Sequence, residues 1–170
     1  MTAFIALLRA VNVGGNGKLP MSDLRSMCEK AGCVDVRTYI ASGNVLFKSR
    51  KSEAHVKTDL EAALRAYAGK PVDVFVRTAA EMADVLAANP FPNEAPNRTV
   101  AIFLDAPPRS DTLKTISGSN GEKIELGKRE IYVHYGEGIA NSRLKIPATK
   151  AGTARNMNTV AKLAKLAREL

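Results

Sequence analysis

The chain has 170 residues, of which 45% are hydrophobic and 25% are charged. This composition is typical of a globular protein and excludes an intrinsically disordered chain. The length allows one large domain or two small ones, and neither needs a metal or a disulfide to fold. Cys28 and Cys33 are too few for a disulfide framework, and their spacing is not that of a CxxC motif. We expect Cys28 to be a buried, unreactive thiol in a reducing compartment.

Positive charge is concentrated at the end of the chain. The net charge is +8, and residues 141–170 hold seven basic residues against one acidic residue. Such a field attracts phosphates or other anions, although a solvated helix face is an alternative explanation. No basic segment precedes the first apolar run, so no signal peptide is predicted. Since no apolar run is long enough to cross a bilayer, we expect a cytoplasmic protein without a membrane partner.

The first half of the chain alternates between strand and helix patterns. Ala3 to Leu8 is apolar at every position, which predicts a central strand covered on both faces. The second helix should bury Val56, Leu60, Leu64 and Tyr67 on one face. The predicted elements are strand 3–11, helix 20–31, strands 34–41 and 45–48, helix 53–68 and strand 72–77. This order is the split βαββαβ arrangement of the ferredoxin-like class.

The second half repeats part of this order. A helix over 79–88, with a capping box formed by Thr78 and Glu81, leads into a proline-rich linker that ends at Asn97. The remaining predicted elements are strand 100–104, a short helix over 110–116 capped by Ser110, a hairpin of strands 122–126 and 130–135, and a helix over 155–169. Residues 138–146 are ambiguous. An internal duplication is one explanation for the repeated order.

These patterns predict an α+β fold with two packed lobes. The first lobe is a ferredoxin-like split βαββαβ unit, and the second is a related βαββ unit that ends in a long helix. The predicted domains are residues 1–78, a helix and linker over 79–97, and a second lobe over 98–170 with a basic C-terminal helix. A second lobe or a dimer partner must cover the outer face of the first sheet, so a monomer and a homodimer both remain open.

Polar loops follow two neighbouring strands of the first lobe. Because the first and second strands should run in the same direction, the loop after strand one and the turn after strand two should share one sheet edge. This edge, beside the start of the first helix, suits an anion. Glycines in the first loop allow close approach of a ligand, or they only form a tight turn. The predicted ligand-binding residues of this edge are Arg9, Asn12, Gly14, Gly15, Asn16, Lys18, Ser42 and Asn44.

A third polar cluster precedes the last helix. Thr153 is predicted to cap this helix, which places Arg155, Asn156 and Asn158 in its first turn. A cation at a helix N-terminus opposes the helix dipole. Arg155 therefore binds an anion or forms a tertiary salt bridge, and the sequence leaves both alternatives open. We expect this cluster to join the polar loops of the first lobe in one site.

Several well-known kinds of site are excluded by the sequence. The first loop lacks the GxxxxGK[ST] pattern of a P-loop, and a dinucleotide fingerprint beginning at Gly15 would end on Pro20. His55 and His134 belong to no recognisable catalytic dyad and are predicted to be structural or solvated. No metal site and no cofactor are predicted. Base stacking of the RNA-binding βαββαβ kind is disfavoured, because the third strand offers only Phe47.

Three segments resemble those of a known bacterial family, the domain of unknown function number 1697. They are Leu7 to Gly15, Val36 to Val45 and Gly152 to Val160, and Asn89-Pro90-Phe91 is similar to a further piece. Met157 stands where the family often carries tryptophan. The resemblance implies an α+β fold of ferredoxin-like elements and supplies no activity. The matching positions are Arg9, Asn12, Gly14, Gly15, Lys18, Arg37, Tyr39, Ser42, Gly43, Asn44, Arg155, Asn156 and Asn158.

The leading functional prediction is a small α+β protein whose polar sheet edge accepts an anion. Its partner would be a small phosphorylated or otherwise anionic ligand, and a nucleotide or a nucleic-acid backbone is the first alternative. A second alternative is an enzyme that uses arginine, lysine and asparagine electrostatics without a side-chain nucleophile. A third is a structural protein whose polar loops only stabilise turns.

Overall fold

The computed structural model describes residues 1–11, 18–40 and 43–170, which form two four-stranded antiparallel sheets and four α-helices. The predicted α+β class is therefore confirmed. The strands are Thr2–Leu8 (β1), Val34–Thr38 (β2), Asn44–Ser49 (β3), Val74–Thr78 (β4), Thr99–Phe103 (β5), Lys123–Leu126 (β6), Glu130–His134 (β7) and Thr153–Asn156 (β8). The helices are Met21–Lys30 (α1), Glu53–Ala68 (α2), Ala79–Ala87 (α3) and Met157–Arg168 (α4).

The chain divides into two compact units. The first unit comprises Met1–Met82 and Leu163–Leu170, and the second comprises Ala83–Lys162. The domain boundaries predicted from the sequence, at 78 and 97, remain a prediction.

The first unit has the strand order β2-β3-β1-β4, with every neighbouring pair antiparallel. This is the predicted ferredoxin-like arrangement, in which β1 and β2 run in the same direction. Phe4, Ala6 and Leu8 of β1 belong to the apolar core that α1 and α2 complete. Ile5 and Leu7 on the opposite face are also fully buried, so β1 is covered on both faces as predicted.

Local signals fix the bounds of α2. The hydroxyl of Ser52 accepts the N–H of His55 at the start of the helix, and Gly69 ends it with a left-handed backbone at φ 73°. Tyr67 was expected on the buried face with Leu64, and this was wrong, because its side chain is 48% exposed. It lies in the last helical turn, where its hydroxyl donates to Asp23 on α1 instead of entering the core.

The second unit has the same strand order as the first, β6-β7-β5-β8, again with antiparallel neighbours. The predicted start of the last helix at residue 155 was wrong, because Thr153–Asn156 pairs with β5 as a fourth strand. The predicted short helix over 110–116 is a 3-10 turn over Thr112–Thr115, without a side-chain cap from Ser110. The predicted hairpin of β6 and β7 is confirmed.

The last strand of each sheet carries a buried arginine at the same place. Arg77 pairs with Ile5, and Arg155 pairs with Ala101. Each arginine is the penultimate residue of its strand and lies on the sheet face opposite the apolar core of its unit. Both units thus share strand order, strand direction and the register of one buried charge.

In each unit, the residue that follows the buried arginine caps the next helix. Thr78 and Glu81 form the predicted capping box at α3, with bonds of 2.9 and 3.1 Å between side chain and backbone. At α4, the side-chain oxygen of Asn156 accepts the N–H of Thr159 at 2.9 Å. The predicted cap, Thr153, was therefore wrong, because that residue lies inside β8.

We expect both thiols to be unreactive in the folded protein. Burial raises the pKa of Cys28 to about 12, and burial is also the main cause of the raised pKa of Cys33. Both groups are therefore protonated at pH 8, and reaction requires the thiolate. Iodoacetamide labelling followed by mass spectrometry should find neither cysteine modified in buffer and both modified in urea. Equal labelling rates in the two conditions would contradict this burial.

The linkage of Cys28 ionisation to stability has a defined sign. Because the folded pKa is raised, folding favours the protonated thiol, and this contribution is intact below the pKa of the unfolded chain. It is lost as the pH rises from about 9 towards 12.

Candidate functional site

The described residues of two polar segments at one edge of the first sheet form what we call the polar rim: residues 9–11 and 18–20, which follow β1, and residues 39–40 and 43–44, which lie between β2 and β3. Of the site residues predicted there, the structure describes Arg9, Lys18 and Asn44. The others, Asn12, Gly14, Gly15, Asn16 and Ser42, lie outside the described residues.

The described parts of the two segments adjoin at Gly43. The N–H of Leu8 donates to the carbonyl oxygen of Gly43 at 2.8 Å. Gly43 has φ 85°, and a Cβ atom there would lie 2.5 Å from Cγ2 of Val11 and 2.9 Å from Cβ of Leu8. Both the left-handed backbone and this close packing require glycine. Gly43 is therefore held against the end of β1.

Strained backbone lies in both segments of the polar rim. Of the three non-glycine residues with a left-handed backbone in the described part of the chain, Ala10 with φ 56° and Ile40 with φ 49° lie in the polar rim, whereas Asp35 with φ 53° lies in β2. A left-handed conformation costs roughly 1–2 kcal/mol for an L-residue and is unusual for a β-branched one. Ile40 is 51% exposed, so burial of its side chain does not explain the strain. Such residues cluster at functional sites, where the surrounding structure holds them in place.

Two cations belong to the described part of the polar rim. Nη1 of Arg9 lies 3.6 Å from Oδ2 of Asp73, in an ion pair exposed on both sides. The side chain of Lys18 is exposed and has no hydrogen-bond or ion-pair partner among the described residues. The following helix α1 begins after Pro20 without a side-chain cap. Its first backbone N–H groups therefore donate to no capping side chain.

Asn44 has a structural contact that the sequence did not reveal. It is fully buried at the start of β3, and its side-chain nitrogen donates to the carbonyl oxygen of Tyr39 at 3.0 Å. The N–H of Tyr39 donates in turn to the carbonyl oxygen of Asn44. Asn44 therefore stabilises the turn of the polar rim, and its contact with a ligand remains a prediction.

Arg155 occupies a different environment from the expected one. It lies in β8, 8% exposed, and its Nη1 donates to Oγ1 of Thr153 at 2.7 Å and to the carbonyl oxygen of Ala154 at 2.9 Å. Burial lowers the pKa of its guanidinium to about 10, so it remains cationic at neutral pH. The expected position of Arg155 in the first turn of the last helix was therefore wrong, because the residue lies in a strand.

The remaining predicted residues of this cluster have separate roles. Asn156 caps α4, whereas Asn158 is exposed in the first turn of that helix. Arg155, Asn156 and Asn158 belong to the second unit, and the polar rim belongs to the first. Their convergence in one site remains a prediction.

His134 is buried in a set of contacts that tie the proline-rich segment to β7. The hydroxyl of Thr99 lies 3.0 Å from the carbonyl oxygen of Ala95 and 3.0 Å from Nδ1 of His134. Nε2 of His134 lies 3.2 Å from the Glu94 carboxylate. The hydrogen-bonded Lys123 ammonium is the main cause of the lowered pKa of Glu94. This arrangement supports the structural role predicted for His134.

Sequence reasoning missed a cavity of about 580 Å³ in the second unit. Its walls come from residues 118–122, which lead into β6, and residues 135–143, which follow β7. Both segments are rich in glycine and polar residues, which have no helical or strand periodicity. The one available signal was the run Gly136-Glu137-Gly138, which places a charged residue between two glycines where the ambiguous segment begins.

Among residues 1–11, 18–40 and 43–170, no cluster of three or more histidine, cysteine, aspartate or glutamate side chains could hold a metal ion. Over the same residues, no helix has both the length and the apolar character needed to span a bilayer.

Substitution of the two asparagines near α4 should separate a structural role from an exposed one. We expect Asn156→Ala to lower the free energy of unfolding by about 0.5–2 kcal/mol, because it removes the cap of α4. Asn158→Ala is the matched control and should change it by less than about 0.5 kcal/mol. Urea unfolding followed by circular dichroism measures both. Equal effects of the two substitutions would contradict the assigned cap.

Comparison with known proteins identifies the fold and the family. The solved structure of the conserved bacterial protein SP0830 from Streptococcus pneumoniae is similar to this chain over 98% of both chains, with a TM-score of 0.82 and 24% sequence identity. At this identity the likeness concerns the fold alone. No curated protein matches the chain. The family model described as "Protein of unknown function (DUF1697)" matches residues 1–132, and the chain therefore belongs to this family.

Proposed function

We propose that this protein binds a small anion of the phosphate class at the polar rim. Arg9 and Lys18 would supply positive charge, and the start of α1 would supply backbone N–H groups. The observation that carries the proposal is the left-handed backbone at Ala10 and Ile40, in the two segments that adjoin at Gly43. Strain of this kind persists where a site requires a particular backbone geometry.

The cations of the polar rim, Arg9 and Lys18, can bind an anionic ligand at little cost in existing interactions. The Arg9–Asp73 pair is exposed on both sides, and such pairs contribute about 0–1 kcal/mol. Replacing the Asp73 carboxylate by a ligand oxygen therefore costs little. Lys18 has no competing partner among the described residues, so its ammonium group is available without breaking a bond.

Thermal denaturation with increasing inorganic phosphate or pyrophosphate tests this proposal. A ligand that binds only the folded state stabilises it by about 2.7 kcal/mol at a concentration a hundred times the Kd. We expect Lys18→Gln to weaken binding about tenfold, since a charge-assisted hydrogen bond contributes roughly 1.5 kcal/mol. Isothermal titration calorimetry gives the Kd of each variant.

The matched control is Lys128→Gln, which removes an exposed lysine from the hairpin turn between β6 and β7. It should leave phosphate binding unchanged and should correct for general loss of positive charge. Equal losses from Lys18→Gln and Lys128→Gln would show nonspecific charge attraction and would exclude the polar rim. Absence of any stabilisation by either anion would exclude the proposal as a whole.

A second candidate function is binding of a nucleic-acid backbone, and it rests on α4. Lys162, Lys165 and Arg168 are exposed on this helix and form no ion pair among the described residues. Three contacts with duplex phosphates would give a slope of about −2.7 in a plot of log affinity against log salt. Fluorescence anisotropy of a labelled DNA duplex measures this slope. Absent binding at low salt, or binding that Lys162→Gln with Lys165→Gln leaves unchanged, would exclude this candidate.

A further inference from the structure

The cavity of the second unit has walls that are fixed by contacts within the protein. Ser117 and Lys145 exchange two backbone hydrogen bonds of 3.1 and 2.8 Å, which join the two wall segments at one end. The hydroxyl of Ser142 donates to Oε1 of Glu122 at 2.7 Å. A Cβ atom on Gly118 would clash with the backbone oxygen of Arg143, so the segments approach as closely as glycine permits. Contacts within the protein therefore fix the walls of the cavity.

One of the two carboxylates in the wall is already engaged by the protein. Glu122 accepts the N–H of Asn120 and the hydroxyl of Ser142. These bonds, the backbone bond first, lower the pKa of its carboxyl group. Glu122 thus holds the walls together, and its oxygens are directed to protein donors.

Two other side chains of the cavity, which carry opposite charges, form no such hydrogen bonds among the described residues. Glu137 and Arg143 both line it, and both are exposed. Among the described residues, neither side chain has an ion-pair or hydrogen-bond partner, and the two do not pair with each other. A cavity with one free carboxylate and one free guanidinium is complementary to a molecule that carries both a cation and an anion.

Gly136 provides an independent observation at the same wall. Its backbone is not left-handed, and a Cβ atom added to it would meet no atom within 4 Å. Neither the backbone nor the packing of the described residues therefore requires glycine there. Arg98 holds this position by donating to the carbonyl oxygen of Gly136 at 2.8 Å. Absence of a side chain leaves room for a bound molecule against the backbone.

We propose that this cavity binds a small zwitterion of the amino-acid class, with its ammonium group at Glu137 and its carboxylate at Arg143. Guanidinium and carboxylate groups form paired, charge-assisted hydrogen bonds, and an ammonium group donates well to a free carboxylate. A volume of about 580 Å³ accommodates a free amino acid or a short peptide. A simple anion would meet the carboxylates of Glu122 and Glu137, and a metal ion would meet Arg143.

The first experiment is thermal denaturation of the full chain with each free amino acid, with glycylglycine and with inorganic phosphate at millimolar concentration. We expect at least one amino acid or the dipeptide to raise the melting temperature, followed by a Kd from calorimetry. No rise with any zwitterion would overturn the proposal. A rise with phosphate that competes with the zwitterion would identify an anion site instead, and would also overturn it.

Substitutions then assign the two charges. Glu137→Gln and Arg143→Gln should each weaken binding of the active zwitterion at least tenfold, whereas Glu125→Gln, an exposed control on β6, should not change it. The N-acetyl form of the ligand loses its ammonium group, so it should bind weakly and be insensitive to Glu137→Gln. The amide form loses its carboxylate and should be insensitive to Arg143→Gln. Full affinity in both charge variants would overturn the assignment.

Gly136→Ala separates binding from folding. Because the added methyl group meets no protein atom, the melting temperature should stay unchanged or rise, while zwitterion affinity falls at least tenfold. Unchanged affinity would show that the ligand does not approach this wall. Lys18→Gln should leave zwitterion binding intact, so failure of this proposal and failure of the polar-rim proposal are distinguishable.

Discussion

Antiparallel pairing of the central strand on both of its edges is the constraint on which the rest of each unit depends. In the first sheet, β1 lies between β3 and β4, which makes β1 and β2 run in the same direction. That direction brings the end of β1 to the turn after β2, where Leu8 donates to Gly43. In the second sheet, β5 lies between β7 and β8, and its pairing with β8 fixes the register of Arg155. Position in the sheet, more than local sequence, thus decides which polar groups adjoin.

Elements with strong periodic signals could be predicted from the sequence. The bounds of α2 follow from a serine cap, apolar residues at helical spacing and a terminal glycine, all of which act locally. The capping box of Thr78 and Glu81 is equally local. The uninterrupted apolar run of β1 predicted burial on both faces, because no solvated face can tolerate it. Strand order followed from these elements and from the short list of allowed connections.

Elements that tertiary pairing creates could not be predicted. β8 has four residues, Thr153–Asn156, and its polar composition resembles a helix start. Its pairing with β5 supplies the hydrogen bonds that make it a strand. The sequence predicted that Arg9, Lys18 and Asn44 share one sheet edge. It could not show that the side chain of Asn44 donates its hydrogen bond to the backbone of Tyr39. Glycines beside charged residues were the one signal for the cavity, and they could not show that two loops without periodicity form its walls.

The two units differ in the segments that connect their strands, and this difference explains where the two candidate sites lie. They share strand order and a buried arginine, but the second unit has no α-helix in the corresponding connections. A 3-10 turn over Thr112–Thr115 stands in place of α1, and loops with 3-10 turns over Ile139–Asn141 and Pro147–Ala151 stand in place of α2. Helices end and begin at defined caps, which places the polar rim at a strand-to-helix boundary. Irregular loops instead must satisfy their backbone groups with side chains and with one another. In the second unit, the Glu122 carboxylate accepts hydrogen bonds from both wall segments. Glu137 and Arg143 line the cavity between these segments. The cavity therefore lies in connections without α-helices, on a sheet with the same strand order as that of the first unit, and loops on a rigid scaffold are frequent places for binding sites.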